Sequence, residues 1–393
     1  MNMLKNVISK PSITTNYCQK IIIVAVIFLW RCHVGAQEIT ISGVICDQDT
    51  KLPISNVHVY LDGTSIQTIT NNSGRFELKP KSVINTKLVI HHLSYETYII
   101  DRPFEGLPDT LYIQEQIQTL NEIIVSADRF SRRQKLKAFR EQFLGLSRAG
   151  RSCTIINEDD IQISVNMLSQ RLFAFSDKPI EVVNNYLGYK ISFILVDFWI
   201  QYGSEIRNNE HFFNLTNDHM QDVFLSVISS FNDLAPDRNN IQQRRINVYE
   251  MSPNFFFKSL ANDALTENKF TLYNRGVPGA SRANGFRVIS FINAVQVDHR
   301  QYFAIQDTLT QKLIHIIPDT DIYKGIGSHS GQPLSGIISV LNQRNKTNPS
   351  DIYFTTDSFL VDRYGNTDQI DKIWFSGQMG TYRAGDMLPL DYE

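Results

Sequence analysis

The chain has 393 residues, with 38 basic and 40 acidic side chains and a formal net charge of −2. So balanced a charge offers no electrostatic attraction for a polyanion, which argues against a nucleic-acid-binding function. A chain of this length is usually too long for a single hydrophobic core, so the length predicts two domains. Past residue 36 no apolar run is long enough to cross a membrane as a helix, so we expect no transmembrane span in the mature chain.

Residues 1–36 have the features of a cleaved signal peptide. Lysines precede an unbroken apolar run, Ile21–Trp30, and the small residues Val34–Ala36 follow where a signal peptidase cuts. The run falls short of the about 20 residues that a membrane-spanning helix needs. Two alternatives stay open, a retained anchor and a lipoprotein acylated at Cys32. We expect cleavage after Ala36 and export of the mature chain.

Residues 37–127 predict an antiparallel β-sandwich. Apolar and polar residues alternate in short runs, which is typical of half-buried strands. Turn residues separate the runs, most clearly Asn71–Gly74, where Asn and Gly tolerate positive φ. Seven or more short strands in this length favour a sandwich. The predicted strands are Glu38–Val44, Val57–Leu61, Ile66–Thr70, Arg75–Leu78, Lys87–Leu93, Tyr98–Ile100, Thr110–Ile113 and Glu122–Val125.

These residues resemble the carboxypeptidase-regulatory-like domain, which has a transthyretin-type fold. The resemblance implies an add-on module of secreted bacterial proteins that is not itself a peptidase. One departure is Ser94, where the family usually has Gly before the tyrosine, and it puts a backbone turn in doubt. The matching segments, in order, are Ile41–Asp47, Leu52–Ile54, Asn56–Val57, Gly63–Thr64, Thr70–Phe76 and Leu88–Ile90.

Nutrient receptors of the TonB-dependent class carry a similar front module. In those receptors a segment like Leu120–Ala127 joins the module to a plug and a barrel. The resemblance of this chain ends at Ala127. A barrel of that class has roughly 20 or more strands of about 9 to 11 residues, which the remaining chain is too short to supply. We therefore expect a front module without a receptor barrel. Together with the signal peptide, the resemblance implies an exported protein in the periplasm or associated with the outer membrane of a Gram-negative bacterium.

Residues 128–148 predict a charged linker helix. Leu136, Phe139 and Phe143 share one helical stripe, and basic residues surround it. The basic residues form either a surface-binding patch or a solvated helix face, and we favour the solvated face. Because the stretch Ala127–Arg133 is polar, we expect few contacts to cross this boundary and residues 37–127 to fold alone.

Residues 149–393 predict a β-rich C-terminal domain with a few helices. Most apolar runs are short and rich in β-branched or aromatic residues, which favours strands. Two segments, Val223–Phe231 and Asn254–Ala261, look helical. The predicted strands lie at Ile161–Ile163, Leu172–Ala174, Ile180–Val183, Ile191–Trp199, Arg287–Ile292, Leu313–Ile317, Ile352–Phe354 and Ile373–Phe375.

The mature chain would keep two cysteines, Cys46 and Cys153, one in each predicted domain. An oxidising compartment would allow a disulfide between them. Two isolated cysteines without a framework more often remain buried thiols, which is our expectation.

The search for catalytic, cofactor or metal-binding residues selects none, and we expect no cofactor. A zinc carboxypeptidase needs His and Glu three residues apart and a later His, and this spacing is missing from the sequence. His91 and His92 are adjacent in a strand, so they point to opposite faces and cannot chelate one ion. The glycine-rich segment Gly325–Gly331 could cradle an anion, although its spacing misses the phosphate-loop pattern and favours a flexible loop.

Aromatic clusters at Phe212–Phe213, Phe255–Phe257 and Tyr302–Phe303 are either exposed platforms for sugar or peptide ligands or part of a β core. We favour the core. The sequence therefore predicts a non-enzymatic cell-envelope protein that binds or scaffolds, with an envelope protein or a carbohydrate or peptide as its partner. The alternative is a secreted hydrolase, a peptidase or glycosidase, with its site in the C-terminal domain.

Overall fold

The structure, a computed structural model, describes residues 39–116, 129–207, 210–273, 279–283, 286–290, 295–317, 335–345 and 348–393. Within them the chain is mainly β with several antiparallel sheets and a few helices, as the sequence predicts. Thr40–Glu393 form one compact unit. Three predicted features, the signal peptide, the segment Leu120–Ala127 and the glycine-rich segment Gly325–Gly331, lie outside the described residues.

The N-terminal domain is a sandwich of two sheets, which confirms the predicted fold class. One sheet has the order β4-β1-β7 and the other the order β3-β2-β5-β6. The pairing is antiparallel except between β1 and β7, which run parallel. The predicted strand Glu122–Val125 lies outside the described residues. The strands are β1 (Ile41–Asp47), β2 (His58–Leu61), β3 (Gln67–Ile69), β4 (Arg75–Leu78), β5 (Leu88–His92), β6 (Tyr95–Ile100) and β7 (Thr110–Ile113).

Local turn chemistry fixes the pairing of β4 with β1. The side-chain oxygen of Asn71 accepts hydrogen bonds from the amides of Ser73 and Arg75 at 2.9 and 3.0 Å. Gly74 follows with φ +68°, and a Cβ there would lie 2.5 Å from the carbonyl oxygen of Ile45. Only glycine fits this position, because it combines positive φ with a close backbone approach. The turn at Ser94 also forms, so the departure from the family pattern leaves the hairpin intact.

The predicted linker helix is α1 (Arg132–Phe143), and it belongs to the core of the C-terminal domain. Ser131 and Gln134 form a capping box that starts the helix. Phe139 and Phe143 are fully buried in a cluster with the first sheet of that domain. The basic residues lie on the opposite, solvated side, and Arg132 donates to backbone carbonyls of a neighbouring acidic turn.

The first sheet of the C-terminal domain has the order β8-β11-β12-β10-β9, and β15 pairs with the full length of β12. A short hairpin, β13 with β14, follows β12. The elements are α2 (Arg148–Arg151), β8 (Cys153–Ile155), β9 (Gln162–Asn166), β10 (Arg171–Phe175), β11 (Ile180–Asn184), β12 (Tyr189–Tyr202), β13 (Glu205–Arg207), β14 (Glu210–Phe212) and β15 (Met220–Asp233).

The helix predicted at Val223–Phe231 is wrong, because this segment is the middle of β15. The side chains of β15 alternate between the two faces of the sheet. Val223, Leu225 and Val227 pack against the core, and the residues between them face outward. The apolar run is too short for periodicity alone to separate a helix from a strand. Pairing with a distant strand decides the outcome.

The second half of the C-terminal domain has two further sheets, with the orders β19-β16-β22-β23-β25 and β20-β21-β24, and a separate hairpin β17-β18. The predicted helix at Asn254–Ala261 is confirmed as α4. The elements are α3 (Asn239–Tyr249), α4 (Pro253–Ala261), β16 (Phe270–Tyr273), β17 (Gly279–Ala283), β18 (Phe286–Ser290), β19 (Gln296–Val297), β20 (Phe303–Asp307), β21 (Lys312–Ile316), β22 (Gly336–Asn342), β23 (Ser350–Phe354), β24 (Ser358–Val361) and β25 (Ile373–Phe375).

The sandwich docks on β15 through backbone hydrogen bonds. The Gly63 amide donates to the Ser229 carbonyl at 2.7 Å, and the Phe231 amide donates to the Thr64 carbonyl at 3.0 Å. On the outward face of the sheet, Ile228 packs in a small cluster with Tyr60 and Val89 of the sandwich. This interface was not anticipated from the sequence, where few contacts were expected between the two domains.

Two more segments tie the domains together. The turn after β24 inserts Tyr364, which is 2% exposed, into the core of the sandwich. The C-terminal segment, Ala384–Glu393, runs across the junction. Its Leu390 amide donates to the Gly63 carbonyl at 2.7 Å, and the Asp391 carboxylate accepts from the Ser65 hydroxyl at 2.6 Å. The sandwich is therefore built into the larger unit.

Candidate functional site

His91 and His92, the adjacent histidines of β5, make separate contacts with their own neighbours. The ring nitrogen Nδ1 of His91 lies 3.0 Å from the Thr97 hydroxyl, while the ring of His92 packs edge-on against Tyr95. Burial lowers the pKa of His91 and favours the neutral ring. Within the described ranges, no group of three His, Cys, Asp or Glu side chains is placed to hold a metal ion.

Cys46 and Cys153 are unpaired thiols. Cys46 is buried in the sandwich, and Cys153 is partly buried at the start of β8. Burial raises the pKa of the Cys153 thiol to about 12. A nucleophilic cysteine needs a depressed pKa, so this environment does not activate Cys153.

A polar cleft of about 460 Å³ lies beside the edge strand β19. Its charged residues come from the loop after α4 and from the turn after β19, and they contact one another. His299 sits between two carboxylates, with Nε2 3.0 Å from Asp263 and Nδ1 3.4 Å from Asp298. Arg300 donates to the second oxygen of Asp263 at 2.6 Å, and this hydrogen bond lowers the pKa of the Asp263 carboxyl.

The charged cleft was missed at the level of sequence. The only signal was the charged triplet Asp298–Arg300, and Asp263 lies far from it along the chain. The Asp263 carboxylate contacts both the imidazole and the guanidinium, and the Asp298 carboxylate contacts the imidazole. The arrangement therefore resembles an ion-pair network more than a set of groups waiting for a ligand.

The aromatic clusters named from the sequence are mostly core, as favoured. Phe213, Phe256, Phe257 and Phe303 are each no more than 2% exposed. They pack in the two large clusters of the C-terminal domain.

A different set of aromatic side chains faces outward, and we call it the aromatic row. Phe173, Trp199 and Phe224 are cross-strand neighbours on β10, β12 and β15, and all three are half-buried. They lie on the sheet face opposite Phe198 and Ile200, which belong to the core. The rings of Trp199 and Phe224 stack with centroids 5.7 Å apart.

Polar side chains flank the aromatic row. The Arg171 guanidinium lies 4.6 Å from the centroid of the Trp199 ring, and its Nε donates to the Gln201 side chain at 2.6 Å. Asp197 and Asp222 on the same face are exposed. The sandwich packs on the neighbouring part of this outward face, at Ile228, and the three rings of the aromatic row are partly exposed beside it.

The aromatic row could have been found only with the correct strand assignment. Phe173 and Trp199 lie in predicted strands, but Phe224 lies in the segment Val223–Phe231, for which the sequence predicts a helix. The three side chains become neighbours only through the register of β10, β12 and β15.

Comparison with known proteins identifies the N-terminal domain. No curated protein matches the chain. In the part of the chain that the structure describes, no helix is long and apolar enough to cross a membrane. Residues 41–125 match the family model of the CarboxypepD_reg-like domain. The chain therefore carries a CarboxypepD_reg-like domain, folded as a β-sandwich, in front of its C-terminal domain.

Proposed function

We propose that this protein is a non-enzymatic component of the Gram-negative cell envelope that binds a peptide, carbohydrate or protein ligand on the outward face of its first C-terminal sheet. The aromatic row of Phe173, Trp199 and Phe224 is the observation that carries the proposal. The CarboxypepD_reg-like domain acts as the scaffold beside this surface. Export rests on the N-terminal sequence features.

The chemistry of the surface suits a ligand. An outward sheet face of an antiparallel sheet is ordinarily polar, so three neighbouring aromatic side chains there are a departure from the usual pattern. Aromatic residues and arginine are enriched at the centre of binding interfaces. Arg171, Gln201 and Asp222 add hydrogen-bonding groups at the rim.

The attachment of the sandwich to β15 supports the proposed scaffold role. Its backbone bonds to Ser229 and Phe231 hold it against β15, and its Tyr60 and Val89 pack on Ile228 of the same face. A surface fixed in this way loses little conformational entropy when a ligand binds.

A secreted hydrolase remains the second candidate, and the cleft with His299 is where its site would lie. A general base must accept a proton from the nucleophile or from water. Both ring nitrogens of His299 already face carboxylates, which leaves neither nitrogen directed at a substrate. We therefore favour binding. A peptidase or glycosidase activity that is lost in His299→Gln and kept in Trp199→Ala would favour the hydrolase.

The two tryptophans of the chain from Gln37 onward make the binding proposal testable. Trp199 belongs to the aromatic row, and Trp374, which is 38% exposed, lies on β25. We would screen the purified protein, beginning at Gln37, against arrays of glycans and peptides. Hits should change tryptophan fluorescence in wild type and in Trp374→Phe but leave the signal of Trp199→Phe unchanged. Trp199→Ala should weaken binding at least tenfold, as truncation of a central aromatic does.

Trp374→Ala is the matched control, because it removes an exposed tryptophan from a different sheet. Circular dichroism and thermal melts should show that both alanine variants stay folded. Binding that survives Trp199→Ala, or that is lost equally in Trp374→Ala, would contradict the proposed surface.

A further inference from the structure

β15 is an edge strand, and the direction of its backbone groups can be read from the sandwich contacts. Ser229 directs its carbonyl to the Gly63 amide and its own amide to the Asp62 carboxylate, both at 2.7 Å. The Phe231 amide points the same way, to Thr64. Thus the odd-numbered residues of β15 send their amides and carbonyls away from β12.

The same alternation continues toward the start of the strand, past the region that the sandwich occupies. Leu225 and Val227 therefore direct their amides and carbonyls to the open edge. Among the described residues these groups have no hydrogen-bond partner. At Val223 the amide is bonded by the side chain of Asp222 at 2.8 Å, which marks one end of the free stretch.

Side chains on both faces of this edge are incompletely covered. Leu225 and Val227 are half-buried at the margin of the core, although they face inward. On the outward face, the aromatic row ends at Phe224, directly at the edge. A strand added here would cover apolar surface on both faces and satisfy the free backbone groups.

We propose that the Val223–Val227 edge binds an extended peptide segment of a partner protein as an added β-strand. This inference rests on the proposed function, since it names the ligand class and the geometry of binding at the same sheet. Continuity with an existing contact supports it, because the sandwich loop already bridges this edge, with Thr64 opposite Ser230. Strand addition of this kind takes its affinity from main-chain hydrogen bonds and its specificity from alternate side chains.

The residues around the edge indicate which side chains the bound peptide should carry. Its side chains next to Val227 and Leu225 should be apolar, because they would complete the core margin. On the outward face an aromatic residue should neighbour Phe224 and extend the aromatic row. A basic residue suits the position that faces the exposed Asp222.

Hydrogen exchange tests the free edge in the protein alone. The amides of Leu225 and Val227 should exchange rapidly, while those of Phe224 and Ser226, which face β12, should be protected. Equal protection of all four amides would overturn the proposal, because the edge would then already be paired.

A defined peptide tests binding, and we would use acetyl-Lys-Val-Thr-Val-Phe-Val-Thr-Val-Lys-amide. It should bind and slow exchange at Leu225 and Val227. Two N-methylated versions, each blocking alternate amides, should differ: one should bind like the parent and the other at least tenfold more weakly, since only one set of amides can face β15. If both methylated peptides bind like the parent, or the parent does not bind, the inference fails.

Leu225→Pro removes one edge donor from the protein, and an edge strand tolerates proline where its amide faces outward. This variant should bind the parent peptide at least tenfold more weakly. If it fails to fold, the methylated peptides still decide the question. A glycan that binds through Trp199 without any peptide binding would overturn this inference and leave the proposed function standing. Peptide binding that is unchanged in Trp199→Ala would overturn the proposed function and leave this inference standing.

Discussion

Asp62 of the sandwich accepts the Ser229 amide of β15 at 2.7 Å, at a point where the carboxylate is largely removed from water. Burial raises the pKa of Asp62 to about 6, and the hydrogen bond from Ser229 opposes this rise only in part. The folded protein therefore keeps the neutral acid up to about pH 6, whereas the carboxyl of the unfolded chain ionises near its ordinary pKa of about 4.

We expect Asp62→Asn to stabilise the protein at neutral pH. A pKa raised on folding gives stability that is complete below the unfolded value, about 4, and is lost as pH rises through the folded value, about 6. Asn keeps the acceptor oxygen without the charge, so its advantage should be near zero at pH 4 and reach about 1–2 kcal/mol above pH 7. Urea unfolding across this range measures it.

Asp101→Asn is the matched control, because the positive charge of Lys87 acts on both Asp62 and Asp101, but the Asp101 side chain is 76% exposed. It should change the free energy of unfolding by less than about 1 kcal/mol at every pH. A less stable Asp62→Asn at pH 7 would show that the charge itself holds the two domains together.

Arg245 on α3 should be among the costliest residues to replace. Its side chain is 2% exposed, pairs with both oxygens of Asp233 at 2.7 Å, and donates to the carbonyls of Leu187 and Gly188. Arg245→Met should lower the free energy of unfolding by about 3–5 kcal/mol, because buried acceptors lose their partner.

A double-mutant cycle isolates the pair. Asp233→Asn alone leaves a buried guanidinium without its counter-charge, so the double variant with Arg245→Met should be less destabilised than the sum of the singles by at least about 1 kcal/mol. The neighbouring Arg244→Ala, on a partly exposed side chain, serves as the control and should have a small effect. Strictly additive effects would contradict the coupling.

Tyr364 belongs to the turn after β24, and its ring should stabilise the sandwich into which it inserts. Removing this buried ring should cost about 3–5 kcal/mol in Tyr364→Ala, as for other large-to-small core changes. Hydrogen exchange should increase mainly in residues 41–113. Tyr98→Ala, on a side chain 44% exposed in β6, is the control and should have little effect.

The fragment of residues 37–127 lacks Tyr364 and exposes Tyr60 and Val89. We still expect it to melt cooperatively, because it has its own core, but at a lower temperature than the sandwich within the full chain. An unfolded spectrum would show that the domain depends on its neighbours to fold.

Zinc should not change the stability of the protein. A tight site would stabilise the folded state by the binding free energy of the ion and so raise the melting temperature. The described residues offer no cluster of ligands for such an ion. Thermal melts with added zinc and with a chelator should coincide. A rise of several degrees with zinc would contradict the expectation that the protein binds no metal.

Export should remove the N-terminal segment after Ala36. N-terminal sequencing of the protein from the envelope fraction should begin at Gln37, and Cys32→Ser should be processed normally. An acylated Cys32 would instead identify a lipoprotein, and an intact Met1 a retained anchor.

The sandwich was predictable because its signals are local. Alternation places Val59 and Ile90 inside, and the turn at Gly74 needs only its own neighbours and Ile45. The β15 strand was not predictable in the same way, because its identity depends on pairing with β12. Short apolar runs such as Val223–Phe231 carry no periodicity that separates the two structures.

The candidate surface escaped sequence analysis for the same reason. Phe173, Trp199 and Phe224 are neighbours only in the register of three strands. The domain junction could not be predicted from the sequence either. It is formed by backbone hydrogen bonds of residues such as Gly63 and Ser229, and such bonds do not depend on which side chain is present.

The C-terminal segment sets the order in which this molecule can be completed. Ser65 and its partner Asp391 are separated by 326 residues along the chain. A sandwich that folds first waits with Tyr60 and Val89 uncovered until Ile228 of β15 docks, and the junction closes only when Asp391 reaches Ser65. Contacts of such long range form slowly. The waiting surface is apolar sheet, which is the kind of surface that a chaperone shields from aggregation.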